Sequence, residues 1–257
     1  HMMILYDLPI SSYGCKTRIL LRHKNLQWQS IPPPDGYGSK AYCEIIPAGT
    51  IPALDDDGFK LCDSEAIAEY INEIVPTPAM LPLDVKDRAI SRSLSRFHDS
   101  RIEPTVRAYF DQVTPAYRDQ DFIQDNAKLL KTRFDQLARM VTPAPFLCGS
   151  TLSLADCGFV PTFAILNRLQ PLLGVSVQLT DNIRDYETAL AKHPSVKDEL
   201  QRYNEALDRW IATKLAVWQS AAIVNNLEVH LIDLKQLLVP NGIVTNFGGT
   251  ALSQLRR

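Results

Sequence analysis

The sequence lacks the cysteine patterns that crosslink small domains or hold structural metals. It has an odd number of cysteines, with no Cys-x-x-Cys pair and no zinc-ligand spacing: Cys15, Cys43, Cys62, Cys148 and Cys157. We therefore expect no disulfide framework and no metal, and reduced thiols of the kind found in the cytoplasm. At 257 residues, the chain is long enough to bury a core without such crosslinks.

Long apolar runs and an excess of charge of one sign are also missing. No apolar stretch reaches the roughly 18 residues of a membrane span. Asp7 and Pro9 interrupt the only early apolar run, so we expect no signal peptide. With 27 basic and 29 acidic residues, the chain has no general attraction for nucleic acid or an anionic membrane. A globular, cytoplasmic protein is expected, without a nucleic-acid or membrane partner.

The pattern of apolar residues divides the chain into an α/β part and an all-helical part. Residues 3–80 read as β-α-β-loop-β-β-α, with a hairpin at the Asp57-Gly58 turn. Pro76, Pro78 and Pro82 mark a linker. Helices are predicted over residues 84–111, 120–141, 153–170 and 183–218. We expect an α/β domain over 3–80, an all-α domain over 84–218, and an extension over 219–257 whose role stays open.

The first helix and the helix after the hairpin carry the polar residues of most interest. Residues 11–14 read as a loop, and the helical pattern is predicted to begin at Cys15. The later helix is predicted to open at Ser64, whose hydroxyl can cap it. Its free N–H groups and positive dipole end also suit a carboxylate ligand. The stretch Ser153 to Asp156 is typical of a capping box, with a structural role.

Four short stretches, in this order and spacing, resemble the motifs of cytosolic glutathione transferases over about residues 3–215. They are Pro9-Ile10-Ser11-Ser12, Pro47-Ala48-Gly49-Thr50-Ile51-Pro52-Ala53-Leu54, Asp63-Ser64-Glu65-Ala66-Ile67 and Ser153-Leu154-Ala155-Asp156. The resemblance is to serine-type members (theta, delta and zeta-like), and we expect a bacterial one. It implies a thioredoxin-like N-terminal domain, an all-α C-terminal domain, and glutathione as co-substrate without a metal.

The resemblance also implies a glutathione-binding site. Ile51 and Pro52 would form a cis peptide bond that leaves the Ile51 backbone free to pair with the cysteinyl part of glutathione. Asp63 and Ser64 would receive its γ-glutamyl carboxylate, and Lys40 its glycyl carboxylate.

Two adjacent serines are candidates for activating the glutathione thiol. A thiol with a pKa of about 8.5 is mostly protonated at neutral pH, so a hydroxyl that donates to sulfur favours the reactive thiolate. In the resembled family Ser11 takes this role, and Ser12 stays open as the donor or as a further glutathione contact. Tyr6 is expected to pack in the core. Tyr13 stands where zeta-like isomerases carry cysteine, which argues against their cysteine-dependent chemistry.

These features predict a glutathione transferase that attacks a small hydrophobic electrophile, with a role in detoxification. The alternatives are a non-catalytic binding or regulatory module of the same fold, a zeta-like isomerase, or a member similar to bacterial β-etherases. A homodimer is expected. The helix over 84–111 would line its interface through Ile90, Leu94, Phe97, Ile102 and Val106. Asp99 on this helix would either serve the neighbouring subunit's glutathione site or lie exposed.

Overall fold

The computed structural model describes residues 2–237, with side chains described up to Ala216 and at Ile223. A compact unit ends at Leu215, and a second unit begins at Ala216. Within the second unit, the described residues continue a helix to Leu237. The predicted extension over 219–257 therefore lies partly in this helix and, from residue 238, outside the described residues.

A four-stranded mixed sheet forms the first part of the chain. Its strands are β1 Met3–Tyr6, β2 Trp28–Ile31, β3 Ala53–Asp56 and β4 Phe59–Cys62. The order is β2-β1-β3-β4, in which β1 pairs parallel with β2 and antiparallel with β3, and β3 pairs antiparallel with β4. The predicted hairpin is confirmed as β3–β4. Asp57 and Gly58 have φ of 54° and 91° in its turn, as two-residue hairpin turns require.

Most of the other regular elements in the described residues are α-helices. They are α1 Ser12–His23, α2 Lys40–Ile45, α3 Ser64–Ile74, α4 Val85–Phe97, α5 Glu103–Arg107, α6 Gln120–Met140, α7 Leu154–Cys157, α8 Phe159–Leu173, α9 Asp181–Lys192 and α10 Pro194–Leu237. The predicted fold class, an α/β thioredoxin-like domain followed by an all-helical domain, is confirmed. The boundaries at residues 80 and 84 remain a prediction.

Two helices differ from the sequence prediction: α1 begins earlier than expected, and α2 was not predicted. The loop predicted at residues 11–14 is wrong, because α1 begins at Ser12 and not at Cys15. Ser11 caps this helix, its Oγ accepting from the Gly14 N–H at 3.0 Å, so the glycine belongs to the first turn. The short helix α2 has only six residues, which is too few for an apolar periodicity to show.

The predicted helix over 84–111 is a composite. A π-helical segment, His98–Ile102, joins α4 to α5 and adds a residue to the turn that carries His98 and Asp99. The predicted helix over 183–218 is likewise divided. It ends at Lys192 and restarts at Pro194, whose missing N–H is tolerated at a helix start.

Most of the apolar residues predicted to form a dimer interface lie in the core of the helical part. Leu94, Ile102 and Val106 are at most 1% exposed in the chain's own core, so their assignment to an interface is wrong. Phe97 packs against the same core, whereas Ile90 is 54% exposed. Within the described residues, no helix is long and apolar enough to cross a membrane.

Candidate active site

Two adjoining cavities bring together most of the predicted site residues, and they share Tyr13, Thr50 and Ile51. The polar cavity has a volume of about 510 Å³, and its other lining residues are Ala48, Pro52, Cys62, Asp63, Ser64, Arg96 and Asp99. The aromatic cavity has a volume of about 350 Å³, and its other lining residues are Leu8, Ile10, Ser11, Ser12, Tyr37, Arg107, Phe110, Tyr203, Leu207 and Trp210.

The peptide bond between Ile51 and Pro52 is cis, as predicted. It lies just before β3, between the two cavities. The Tyr42 hydroxyl donates to the carbonyl oxygen of Thr50 at 2.8 Å and so holds the segment just before this peptide bond in place. In the described part of the chain, no recorded hydrogen bond uses the backbone N–H or C=O of Ile51. Both groups are therefore available to an extended peptide-like ligand.

The start of α3 differs from the prediction in one detail that matters for binding. Asp63, not Ser64, caps the helix: its Oδ1 accepts from the N–H groups of Glu65 and Ala66 at 2.9 and 3.0 Å. Asp63 has a φ of 77°, a conformation that non-glycine residues rarely adopt and that clusters at functional sites. The Ser64 hydroxyl has no recorded partner among the described residues, so it can serve a ligand in the polar cavity.

Ser11 and Ser12 lie side by side at the wall of the aromatic cavity, in different hydrogen-bonding states. Ser11 Oγ accepts the Gly14 N–H, and its own O–H remains free to donate to a ligand. Ser12 Oγ is buried and has no partner among the described residues. Tyr6 lines neither cavity and packs on Tyr42 with 5.5 Å between ring centroids, as expected for a core residue.

A buried ion cluster holds the serine turn against the rest of the chain. Arg18 pairs with Asp7 and Glu199, and its Nη2 donates to the carbonyl oxygen of Pro9 at 3.2 Å. A Cβ atom on Gly14 would collide with the Asp7 carboxylate, so only glycine fits the first turn of α1 here. Burial raises the pKa of Asp7 despite the Arg18 charge. The Pro9–Ser11 turn is thus anchored by contacts that the sequence motif does not reveal.

A second buried cluster lies beside the polar cavity and centres on Lys16, which is 2% exposed. Its Nζ pairs with Glu65 at the start of α3 and with Asp99 Oδ2 at 3.2 Å. Burial would raise the pKa of Asp99, but hydrogen bonds from His98 and Lys16 and their charges outweigh it and hold that pKa below its ordinary value. The prediction of an exposed Asp99 is therefore wrong. Its side chain is 7% exposed and lines the same cavity as Ser64.

The comparisons with known proteins agree with this arrangement. A family model described as "Glutathione S-transferase, N-terminal domain" matches residues 5–79. The chain is 28% identical over 208 residues to a protein of Drosophila melanogaster named probable maleylacetoacetate isomerase 1, covering 76% of this chain and 83% of that protein. It is 26% identical over 191 residues to a glutathione S-transferase of Pseudomonas putida, covering 74% and 84%. Residues 5–79 thus match this N-terminal domain family, and about three quarters of the chain is similar to a glutathione S-transferase and to a probable maleylacetoacetate isomerase.

The solved structures show the same fold. A glutathione transferase of Bombyx mori superposes with a TM-score of 0.70 at 22% sequence identity, covering 84% of this chain and 98% of that one. At this identity the likeness establishes the fold and leaves the lining of the cavities to this chain's own residues.

Tyr13, which the sequence offered only as a further candidate hydroxyl donor, bridges the two cavities through contacts that the sequence did not predict. Tyr13 lines both cavities, and its hydroxyl is hydrogen-bonded to the Glu103 carboxylate. Burial and the charges of Glu103 and Asp99 raise the pKa of the Tyr13 phenol well above its ordinary value, so the phenol stays protonated. Arg107 pairs with Glu103 at 2.5 Å and lies over the Tyr13 ring. These residues come from α1 and α5, so no local motif could have joined them.

Lys40 is the one predicted glutathione contact that lines neither cavity. It is the first residue of α2, which Ser39 caps by accepting the Tyr42 N–H at 3.0 Å. Asp156, by contrast, is placed as predicted. It completes a capping box with Ser153, accepts hydrogen bonds from Leu147 and Tyr186, and is fully buried.

Proposed function

We propose that this protein is a glutathione transferase that binds glutathione in the polar cavity and transfers it to a small hydrophobic electrophile held in the aromatic cavity. The proposal rests on one observation, that the serine pair and the unpaired backbone of Ile51 line the same cavity wall. A serine pair on the first turn of α1 lies at the wall shared with Ile51, whose backbone is free to bind a peptide-like ligand.

Glutathione is a tripeptide with two carboxylates, and the polar cavity offers complementary groups. The Ile51 backbone, before Pro52, would pair with the cysteinyl residue. The Ser64 hydroxyl and N–H, next to the cap residue Asp63, would receive the γ-glutamyl carboxylate at the positive end of α3. Lys40 would need to swing toward the cavity to meet the glycyl carboxylate, and it is the weakest member of the set.

Placed this way, the cysteinyl sulfur of glutathione would lie next to Ser11 and Ser12. A hydroxyl that donates to sulfur stabilises the thiolate, and each unit of lowered thiol pKa requires about 1.4 kcal/mol. One charge-assisted hydrogen bond supplies about that amount. We assign this donation to Ser11, because accepting the Gly14 N–H polarises the hydroxyl and makes it a stronger donor. Ser12 is the alternative donor, since its buried hydroxyl has no recorded partner.

Two measurements on the purified protein test the proposal. Titration calorimetry with glutathione gives the affinity, and conjugation of 1-chloro-2,4-dinitrobenzene gives turnover. Binding with turnover supports a transferase. Binding without turnover on aryl halides, epoxides and unsaturated carbonyl compounds would favour the second class of function, a binding or regulatory module. No glutathione binding would overturn both.

Isomerisation is a second candidate activity, favoured by the relative named probable maleylacetoacetate isomerase 1 and by the Ser11-Ser12 pair. Tyr13 occupies the position of the isomerases' cysteine, and its raised pKa leaves it no role as a nucleophile. We therefore rank isomerisation below conjugation, together with cleavage of β-aryl ethers. A direct assay of maleylacetoacetate isomerisation decides whether this ranking holds.

The assembly, the location and the physiological role are further parts of the proposal. Exposed apolar side chains on β4, α3, α4 and the linker between these helices suit a two-fold interface: Phe59, Ile74, Leu83, Val85 and Ile90. We propose this exposed surface as the homodimer interface, in place of the residues that were predicted from the sequence and are buried in the core. A cytoplasmic location and a role in detoxification remain predictions, based on composition and on the resemblance to the family.

A further inference from the structure

The aromatic cavity contains one charged side chain. Among the described residues that line it, Arg107 is the only one with a full charge, and the others are apolar, aromatic or hydroxyl-bearing. A cavity built only for neutral hydrophobic molecules gains nothing from a guanidinium, because the N–H donors of that group require acceptors. The way in which Arg107 is compensated indicates what the cavity accepts.

Glu103 compensates Arg107 only in part. One nitrogen, Nη2, pairs with Glu103 Oε1 at 2.5 Å, and the Glu103 side chain is 6% exposed, outside the lining of the cavity. A guanidinium carries five N–H donors in a planar fork, and Glu103 is the one acceptor recorded for Arg107 in the described part of the chain. The Arg107 side chain is still 49% exposed. The remaining donors are therefore available to a molecule in the cavity.

Aromatic rings hold the Arg107 guanidinium in place and continue along the cavity wall. Its central carbon lies 5.9 Å from the centroid of the Tyr13 ring and 5.4 Å from that of Phe110. Phe110 in turn meets Trp210 edge to face, with 5.3 Å between centroids. A cavity of about 350 Å³ lies at the small end of ligand sites, so it suits a single substituted ring.

We propose that Arg107 makes this cavity select aromatic electrophiles that bear a carboxylate. The ring would stack against Phe110 and Trp210, while the carboxylate would accept the free N–H donors of Arg107. This inference rests on the proposed transferase function and narrows its substrate class from hydrophobic electrophiles to aryl acids. In the reaction, the glutathione sulfur forms a bond to the ring carbon that carries the halogen, and the halide leaves with the electron pair of the broken bond.

A matched pair of electrophiles tests the proposal. 4-Chloro-3,5-dinitrobenzoate and 4-chloro-3,5-dinitrobenzamide share the ring, the leaving group and the activating nitro groups, and they differ in the charge opposite the chlorine. For each, kcat/KM is divided by the uncatalysed rate constant with glutathione. The ratio of the two quotients is the selectivity for the anion. Wild-type protein is expected to favour the benzoate.

Two substitutions are expected to shift this selectivity in opposite directions. Arg107→Gln should lower it about tenfold, equivalent to about 1.4 kcal/mol. Glu103→Gln should raise it, because it removes the competing carboxylate and leaves the guanidinium free. A merely structural role for the pair would impair both substrates alike in both variants. Arg107→Lys keeps the charge without the planar fork and should retain part of the selectivity, which covers a failure of the glutamine variant to fold.

A binding experiment separates this inference from the proposed function. Fluorescence quenching of the cavity tryptophan reports affinity for 3,5-dinitrobenzoate and 3,5-dinitrobenzamide, which lack the chlorine and cannot react. If neither chloro compound is conjugated but benzoate binding depends on Arg107, the transferase function fails and the anion preference holds. Conjugation of both with a selectivity unchanged by Arg107→Gln would overturn the inference alone.

Discussion

Removing the hydroxyl of Ser11 perturbs two functions that the structure allows to be separated. Ser11 caps α1 by accepting the Gly14 N–H at 3.0 Å, and it lines the aromatic cavity where the thiolate is proposed to form. Ser11→Ala should lower the free energy of unfolding by about 1 kcal/mol through the lost cap. It should also lower the conjugation rate by about tenfold or more through the lost thiolate hydrogen bond.

The assay for the second effect is the ultraviolet absorbance of the thiolate in the glutathione complex as a function of pH. With the stabilising donor removed, the pKa of the bound thiol should rise by about one unit, while glutathione affinity changes little. Conjugation of 1-chloro-2,4-dinitrobenzene over the same pH range should follow the shifted titration.

Asp119→Ala provides the matched control for stability. Asp119 caps α6 with the same geometry, accepting the Phe122 N–H at 3.0 Å, and it lines neither cavity. This variant should lose a similar unfolding free energy without a change in thiol pKa. If Ser11→Ala keeps wild-type turnover and an unshifted thiolate titration, the assignment of Ser11 is refuted. Ser12→Ala then becomes the next variant, and it should cost little stability because the Ser12 hydroxyl is unpaired.

Three further outcomes are expected. Ser64→Ala should weaken glutathione binding by about 1 to 3 kcal/mol in calorimetry without lowering thermal stability, because Asp63 carries the cap of α3. Burial and the charges of His193 and Lys24 lower the pKa of His23 from 6.5 to about 4, so wild-type stability falls as pH drops through this window. In urea unfolding, His23→Gln should lessen the loss between pH 7.5 and 5 by about 1 kcal/mol after solvent screening. Light scattering should give twice the chain mass of 28.9 kDa.

Each of these outcomes has a clear opposite. If Ser64→Ala leaves the glutathione affinity unchanged but lowers the thermal stability, Ser64 is part of the helix cap. The proposed location of the glutathione site would then be wrong. Asp63→Ala serves as its control, since that variant should lose stability. Equal pH dependence in wild type and His23→Gln would mean that folding leaves the pKa of His23 unchanged. A monomer at micromolar concentration would refute the homodimer.

The hairpin strands and the start of β3 were predictable because their signals are local, whereas the cis form of the Ile51–Pro52 bond was implied by the family resemblance. An Asp-Gly turn between two apolar runs specifies a hairpin within a few residues. A proline between apolar residues, as at Ile51-Pro52, specifies a strand start with an interrupted ladder. The fold class followed from these elements and from the change to helical periodicity after residue 80.

The start of α1 and the buried ions could not be predicted in the same way. Gly14 disfavours a helix in isolation, and its presence is explained only by the Asp7 carboxylate against which it packs. Charged side chains such as those of Lys16 and Asp99 are usually exposed, so their residue type gives no sign of burial. These two are buried as partners from positions 83 apart in sequence, and no periodicity reports such a pairing. Arg107 and Tyr13 meet for the same reason.

The ammonium group of Lys16 constrains how this chain can change during evolution. It joins α1, which carries the serine pair, to Glu65 on α3 and to Asp99 after α4. Replacing Lys16 alone would leave two carboxylates close together without a cation. Replacing either carboxylate alone would leave the buried ammonium group with one acidic partner instead of two. Viable lineages are therefore expected to alter these three positions jointly, and a set of descendant sequences should show correlated replacements at 16, 65 and 99.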